Sequence, residues 1–136
     1  QEVSDDRPKG KYLRSTLTQD QAKSIYNRIR EIMEQEQLFR DSELTLPVLA
    51  EATGAPTYHV SQVLSEQAGA NFYDFVNSFR VEAAKRLLLD PSKKHYTVLA
   101  IAFESGFNSK TTFNKVFRKA TGLTPTEYLA GTIAQV

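Results

Sequence analysis

Ala102-Phe103-Glu104-Ser105-Gly106-Phe107-Asn108-Ser109-Lys110-Thr111-Thr112-Phe113-Asn114-Lys115-Val116-Phe117-Arg118-Lys119 reads as the end of a short helix, a glycine turn and a second helix. On the second helix Phe113, Val116, Phe117 and Ala120 fall at i, i+3, i+4 and i+7, a stripe that faces a core. Lys110, Thr111, Asn114, Lys115 and Arg118 fall largely outside that stripe, and no acidic residue stands between Ser109 and Thr121. A helix held by one such face can present the other to a groove lined with phosphates and base edges. Taken alone, the pattern suits a solvated helix face equally well.

The flanking sequence favours the groove. Thr97 is placed to cap a helix over Val98–Ser105, Gly106 makes the turn, and Gly122 ends the helix that follows. The same plan stands about 50 residues earlier. Thr45 caps a short helix, Leu46 to Thr53, with Pro47 in its first turn, where no donor is needed. Gly54-Ala55-Pro56 breaks it, and a helix opening near Thr57 turns Val60, Val63 and Leu64 inward and ends at Gly69. Tyr58, His59, Ser61, Gln62, Ser65 and Glu66 are expected mostly outward. Thr45, Ala50 and Gly54 thus match Thr97, Ala102 and Gly106, while Val60, Leu64 and Gly69 match Phe113, Phe117 and Gly122. The second copy has one more residue in its turn. Asn71 begins a long helix to about Leu89, stopped by Asp90-Pro91, whose Phe72, Phe75, Val76, Phe79, Ala83 and Leu87 offer more apolar surface than one small neighbour can cover. Packing alone rarely produces two helix–turn–helix units joined in this way. The fold class expected is therefore all-α, with about seven helices.

The ends of the chain add less. Residues 1–17 are polar and aperiodic, and Arg7-Pro8-Lys9-Gly10-Lys11 reads as a flexible linker. Thr18-Gln19-Asp20-Gln21 is a capping-box start for a helix with Ile25, Ile29, Ile32 and Met33 on one face and mixed charge on the other. Thr124-Pro125-Thr126-Glu127 opens a last short helix, expected to fray after Gly131. The working division is a linker over 1–17 and one DNA-binding domain over 18–136. Its parts are a first unit at about 45–69, a linker helix at about 71–90, a second unit at about 97–122 and a final helix at about 124–131.

Composition removes several function classes. The 136 residues include no Cys, so neither a disulfide framework nor a thiolate metal site is available. His59 and His95 are the only histidines, and neither has a carboxylate beside it at ligand spacing. No cofactor, metal or catalytic constellation is expected, and the chain does not read as an enzyme. No apolar run approaches the roughly 18 residues of a membrane span. The net charge of +1 is too small for a general polyanion binder. Its distribution says more: from Thr97 onward four Lys/Arg stand against two Asp/Glu, and all four lie on the helix after Gly106. The opening Gln1, in place of Met, is the expectation for a piece of something longer.

The run Ala102…Gly106-Phe107…Ser109…Phe113…Phe117-Arg118-Lys119…Gly122…Thr124-Pro125…Tyr128 resembles the C-terminal DNA-binding domain of the AraC/XylS family of bacterial transcription regulators. The resemblance extends from roughly Thr18 or Thr45 through Leu129. It implies two recognition helices that enter successive major grooves on one DNA face, about 34 Å apart. It also implies control by a sensor domain N-terminal to this chain, soluble or membrane-embedded, with RNA polymerase as a further partner and homodimerisation through the absent region. A cytoplasmic location follows, with Arg7, Lys9, Lys11 and Arg14 suiting the cytoplasmic flank of a membrane-anchored parent. The chain departs from the family at Leu129, which follows Tyr128 where many members carry an Arg that supports a phosphate contact.

By position in the motif, Tyr58, Ser61 and Gln62 face bases from the first unit, and Lys110, Thr111, Thr112, Asn114 and Lys115 from the second. Lys can donate to guanine O6/N7 or to phosphate, Asn and Gln pair bidentately with adenine, and Thr methyls meet thymine methyls. Thr45, Thr57, Thr97 and Ser109 are expected as helix caps whose neighbouring N–H groups can take phosphates, with Arg118 and Lys119 as further phosphate candidates. A rival from another class is a helical interaction module that docks a partner on the Phe-rich linker helix.

Overall fold

The computed structural model describes residues 17–134, and side-chain environments through Gly131. The linker reading of residues 1–16, with Arg7, Lys9, Lys11 and Arg14, lies outside the described residues. Among those described there are seven α-helices and no strand: α1 Gln19–Glu31, α2 Leu46–Thr53, α3 Thr57–Val63, α4 Phe72–Leu89, α5 Val98–Glu104, α6 Lys110–Thr121 and α7 Pro125–Ala134. Wide π turns extend α1 over Ile32–Glu36 and α3 over Leu64–Ala68, and short 3-10 turns stand at Leu38–Arg40 and Pro91–Lys93.

The helices start where local chemistry supplies acceptors for their orphan N–H groups. Thr18 and Gln21 form a reciprocal capping box on α1. The hydroxyls of Thr45, Thr97 and Ser109 accept from the backbone of Val48, Ala100 and Thr112 at 3.4, 3.0 and 3.1 Å. The Asn71 side chain does the same for Asp74 at the head of α4. Thr57 is the exception. Pro56, extended at φ −61° and ψ 151°, occupies the cap of α3, and its carbonyl accepts from His59 and Val60. Thr57 is already helical there, and its hydroxyl caps nothing.

The chain divides into two compact units. Among the described residues, the first holds 17–38 and Leu44–Phe75; the second holds Phe39–Glu43 and 76–134. The helix α4 gives its first turn to the first unit and the remainder to the second.

In the first unit α1, α2 and α3 pack on one another. Ile29, Ile32, Met33, Leu49, Val60, Val63 and Leu64 are fully buried, and the Tyr26 and Phe75 rings meet at 6.4 Å. Ile25, expected in this core, is only half-buried.

The core of the second unit is Val81, Ala84, Leu88, Ile101, Ala102, Phe107, Phe113 and Phe117. An aromatic ladder runs through it, Phe107–Phe113–Phe117–Tyr128, with centroid separations of 5.1, 5.6 and 5.4 Å. Each tilted pair adds about 0.5–1.5 kcal/mol beyond its buried area. Ala120 is exposed, because the last turn of α6 runs past this cluster, so the core stripe of α6 ends at Phe117. The helix α7 continues through Gly131 to Ala134, where fraying was expected. One glycine in a helix costs about 1 kcal/mol against alanine and need not end it.

A buried arginine organises the second unit. Arg80 donates from Nε to the Phe39 carbonyl at 2.7 Å, from Nη2 to the Asp41 carbonyl at 2.9 Å and from Nη1 to Asn77 Oδ1 at 3.2 Å, and it lies 5.9 Å from the Phe107 ring centroid. Burial pulls its pKa below the ordinary arginine value. Arg40 donates to the Glu104 carbonyl at the end of α5. Together they tie the segment Phe39–Glu43 to the turn that precedes α6.

Thr124 and Glu127 cap α7 reciprocally, at 2.9 and 3.1 Å. The backbone N–H of Thr124 is the main cause that holds the Glu127 carboxyl below its ordinary value, with the Thr124 hydroxyl and the charge of Arg118 adding to it. A carboxyl depressed on folding contributes stability above its unfolded pKa, and that contribution disappears as pH falls through the folded value. The expected result is a thermal midpoint that drops on acidification below the usual glutamate range. Glu127→Gln should flatten that part of the profile; identical acid profiles for the two proteins would refute the assignment.

Candidate nucleic-acid interface

In the second unit α5, the turn at Gly106 and α6 form the helix–turn–helix. The residues Phe113 and Phe117 fix the buried face of α6. That leaves Lys110, Thr111, Thr112, Lys115, Arg118 and Lys119 exposed and Asn114 half-buried. The ion pairs found among the described residues join Arg28 to Glu31 and Glu36, Arg30 to Glu34 and Lys85 to Glu82, so none engages a cation of α6. The exposed hydroxyl of Thr97 and the half-buried Ser109 cap the two helices of this unit. Arg118 differs from the three lysines of α6 in that its charge acts on the carboxylate of Glu127.

The first unit repeats the plan with different chemistry. The residue Gly54 ends α2 in the left-handed region, and α3 turns Val60 and Val63 into the core. Tyr58 is 44% exposed, its ring 4.6 Å from that of His59. Thr45 and Thr57 are exposed and Ser61 is half-buried. Gln62 does not lie outward as its place in the sequence led us to expect: it is buried, with Nε2 donating to Glu66 at 3.3 Å. A hydrogen-bonding partner one turn on draws its amide along the helix. Between Asp41 and Phe79 there is neither Lys nor Arg, so the pair α2–α3 offers hydroxyls, an amide and an aromatic edge, but no cation.

Sequence reasoning passed over Arg80 and the Gln62–Glu66 pair. The spacing of the pair, i to i+4, was visible in the sequence. Of the partners of Arg80, Asn77 stands three residues before it on the same helix, whereas the two backbone carbonyls about 40 residues away in sequence leave no local signal.

Residues 49–131 match the helix-turn-helix domain family. An HTH-type transcriptional regulator of Staphylococcus aureus is 29% identical over 117 residues, covering 86% of this chain but only 15% of the relative, so the chain spans a small part of that protein's length. The C-terminal domain of the two-component response regulator yesN from Fusobacterium nucleatum is 30% identical and aligns over 76% of this chain and 96% of its own, with a TM-score of 0.66. The DNA-binding domain of the global transcriptional factor AdpA, solved with a target DNA, shares the fold at a TM-score of 0.69 and 20% identity, over 82% of this chain and 95% of its own. Two helix–turn–helix units connected by one long helix define a class of DNA-binding transcription regulator rather than of enzyme. The chain belongs to the AraC-type helix-turn-helix family within it. Among the described residues no helix is long and apolar enough to cross a membrane.

Proposed function

We propose that this chain binds double-stranded DNA sequence-specifically, with α6 in one major groove and α3 in the next. Lys110, Thr111, Thr112, Asn114 and Lys115 read or clamp the first of these grooves. Tyr58, Ser61 and Gln62 read the second. Phosphates are met by Thr45, Thr97, Ser109, Arg118 and Lys119, and by the exposed Thr57 at the first turn of α3. The observation that carries this reading is the outer face of α6: four cations, no carboxylate from Ser109 to Thr121, and a buried aromatic stripe that fixes which way the face points. Phosphate contacts set register and base contacts set sequence. Activity is set by a sensor domain outside this chain, and the domain works in the cytoplasm, on the cytoplasmic side where the parent protein is membrane-anchored. RNA polymerase and a second copy, joined through that outside region, are the protein partners.

The interaction-module alternative loses its main support, because Phe72, Phe75 and Val76 on α4 are buried within the chain. Selection of random duplexes on the purified chain tests the proposal. The expected result is an enriched operator with two short motifs about one helical turn apart. Recovery of unenriched DNA would refute it.

A further inference from the structure

We infer that Gln62 is a stored base reader, held in the free protein by Glu66 and released to an adenine edge when operator DNA binds. This rests on the DNA reading proposed above.

Gln62 is only 9% exposed, and its Oε1 is enclosed with no hydrogen-bond donor. The orientation of the amide is fixed by chemistry. The Glu66 carboxylate offers only acceptors, so the NH2 end must face it and the oxygen must turn inward. A buried amide oxygen without a donor is disfavoured, and few folded proteins keep many. The residue that holds it sits in the π turn Leu64–Ala68 that extends α3, a distortion that recurs at functional sites.

The Hoogsteen edge of adenine presents one donor at N6 and one acceptor at N7, the complement of a glutamine amide. Meeting that edge would give Oε1 the donor it lacks and would replace Glu66 as the acceptor for Nε2. Tyr58, one turn before Gln62 on the same side of α3, is exposed, so that side of the helix reaches solvent. The operator shifts the side chain by as much as it prefers the released form, and Glu66 opposes that shift.

Selection with the unaltered chain comes first. A chain without sequence preference defeats DNA reading itself and this inference with it, whereas the remaining outcomes bear on Gln62 alone. Gln62→Met keeps the shape of the side chain and removes its hydrogen bonding. It should flatten the preference at one A·T position by about tenfold, with the thermal midpoint unchanged or raised. Glu66→Ala should raise affinity for the operator about threefold to tenfold more than for random DNA. In a Gln62→Met background that selective gain should vanish, leaving only the uniform gain from removing a negative charge. Gln62→Leu repeats the measurement should the Met variant fold poorly. Unaltered base preferences in the Gln62 variants, or a Glu66→Ala gain of equal size in both backgrounds, would overturn the inference. So would a lowered thermal midpoint with all preferences retained, which is the mark of a purely structural glutamine.

Discussion

Replacing Lys110 and Lys115 together by alanine should weaken DNA binding at physiological salt by about 30-fold or more and leave the thermal midpoint nearly unchanged. Both side chains are exposed, and neither takes part in an ion pair found among the described residues, so the folded state loses little. Each phosphate neutralised on duplex DNA contributes about 0.9 to the slope of log affinity against log salt. If both lysines meet phosphates, the slope should therefore shrink by about 1.8, which at 0.15 M salt corresponds to the 30-fold loss. If instead either reads guanine, the slope should change less and discrimination at one base pair should fall by about 1–3 kcal/mol. Titration by fluorescence anisotropy at several salt concentrations separates the two. Unchanged affinity and slope would remove α6 from the interface.

The same reasoning makes the two units unequal. Long-range attraction to DNA follows cation density, and α6 carries four cations while α3 carries none. Salt dependence should therefore reside almost wholly in the second unit. Substitutions at Tyr58 or Ser61 should alter which sequence is preferred more than how the affinity responds to salt.

The fold was legible in the sequence wherever its causes are local. A cap needs a hydroxyl or amide and a backbone N–H three residues on, so Thr18, Thr45, Thr97, Ser109 and Thr124 mark helix starts without any knowledge of tertiary structure. The apolar stripe through Phe113 and Phe117 is set by helical periodicity and emerges as the fully buried face of α6. Thr57 was misread because Pro56 took the cap position, and a proline carbonyl can start the ladder without a side-chain acceptor. Gln62 was misread because periodicity places a side chain on a face but not in a rotamer, and here the amide lies along the helix against Glu66. Arg80 was invisible for a deeper reason. Beside the nearby Asn77, its guanidinium meets the carbonyls of Phe39 and Asp41, which any residue types would supply, so no pattern of side chains announces that long-range contact.

That hub gives the largest stability effect expected for a single methyl group. Gly106 has φ +106°, a conformation L side chains rarely adopt, and a Cβ there would press into the Phe39 carbonyl oxygen while lying 2.9 Å from Arg80 Nε and 3.0 Å from Arg40 Cα. The obstacles are backbone atoms and a buried, hydrogen-bonded guanidinium, and shifting them strains the hydrogen bonds that hold the Phe39–Glu43 segment. Gly106→Ala should therefore cost the strain of positive φ, about 1–3 kcal/mol, plus the displacement of that segment, for a total on the order of 3–5 kcal/mol. Against a typical domain stability of about 5–15 kcal/mol this brings the second unit close to unfolding. Two other glycines separate the contributions. Gly54 has φ +78° with nothing within 4 Å of an added Cβ, so Gly54→Ala should show the backbone strain alone. Gly131 lies inside α7 with open space around it, and Gly131→Ala should be neutral or stabilising by up to about 1 kcal/mol. Urea titrations followed by circular dichroism should thus rank the midpoints Gly131→Ala, Gly54→Ala, Gly106→Ala from highest to lowest. Equal midpoints for the last two would mean that the contact with Phe39 and Arg80 contributes nothing. Because Gly106 forms the turn that aims α6, the variant that folds least well should also lose DNA affinity under conditions where it remains helical.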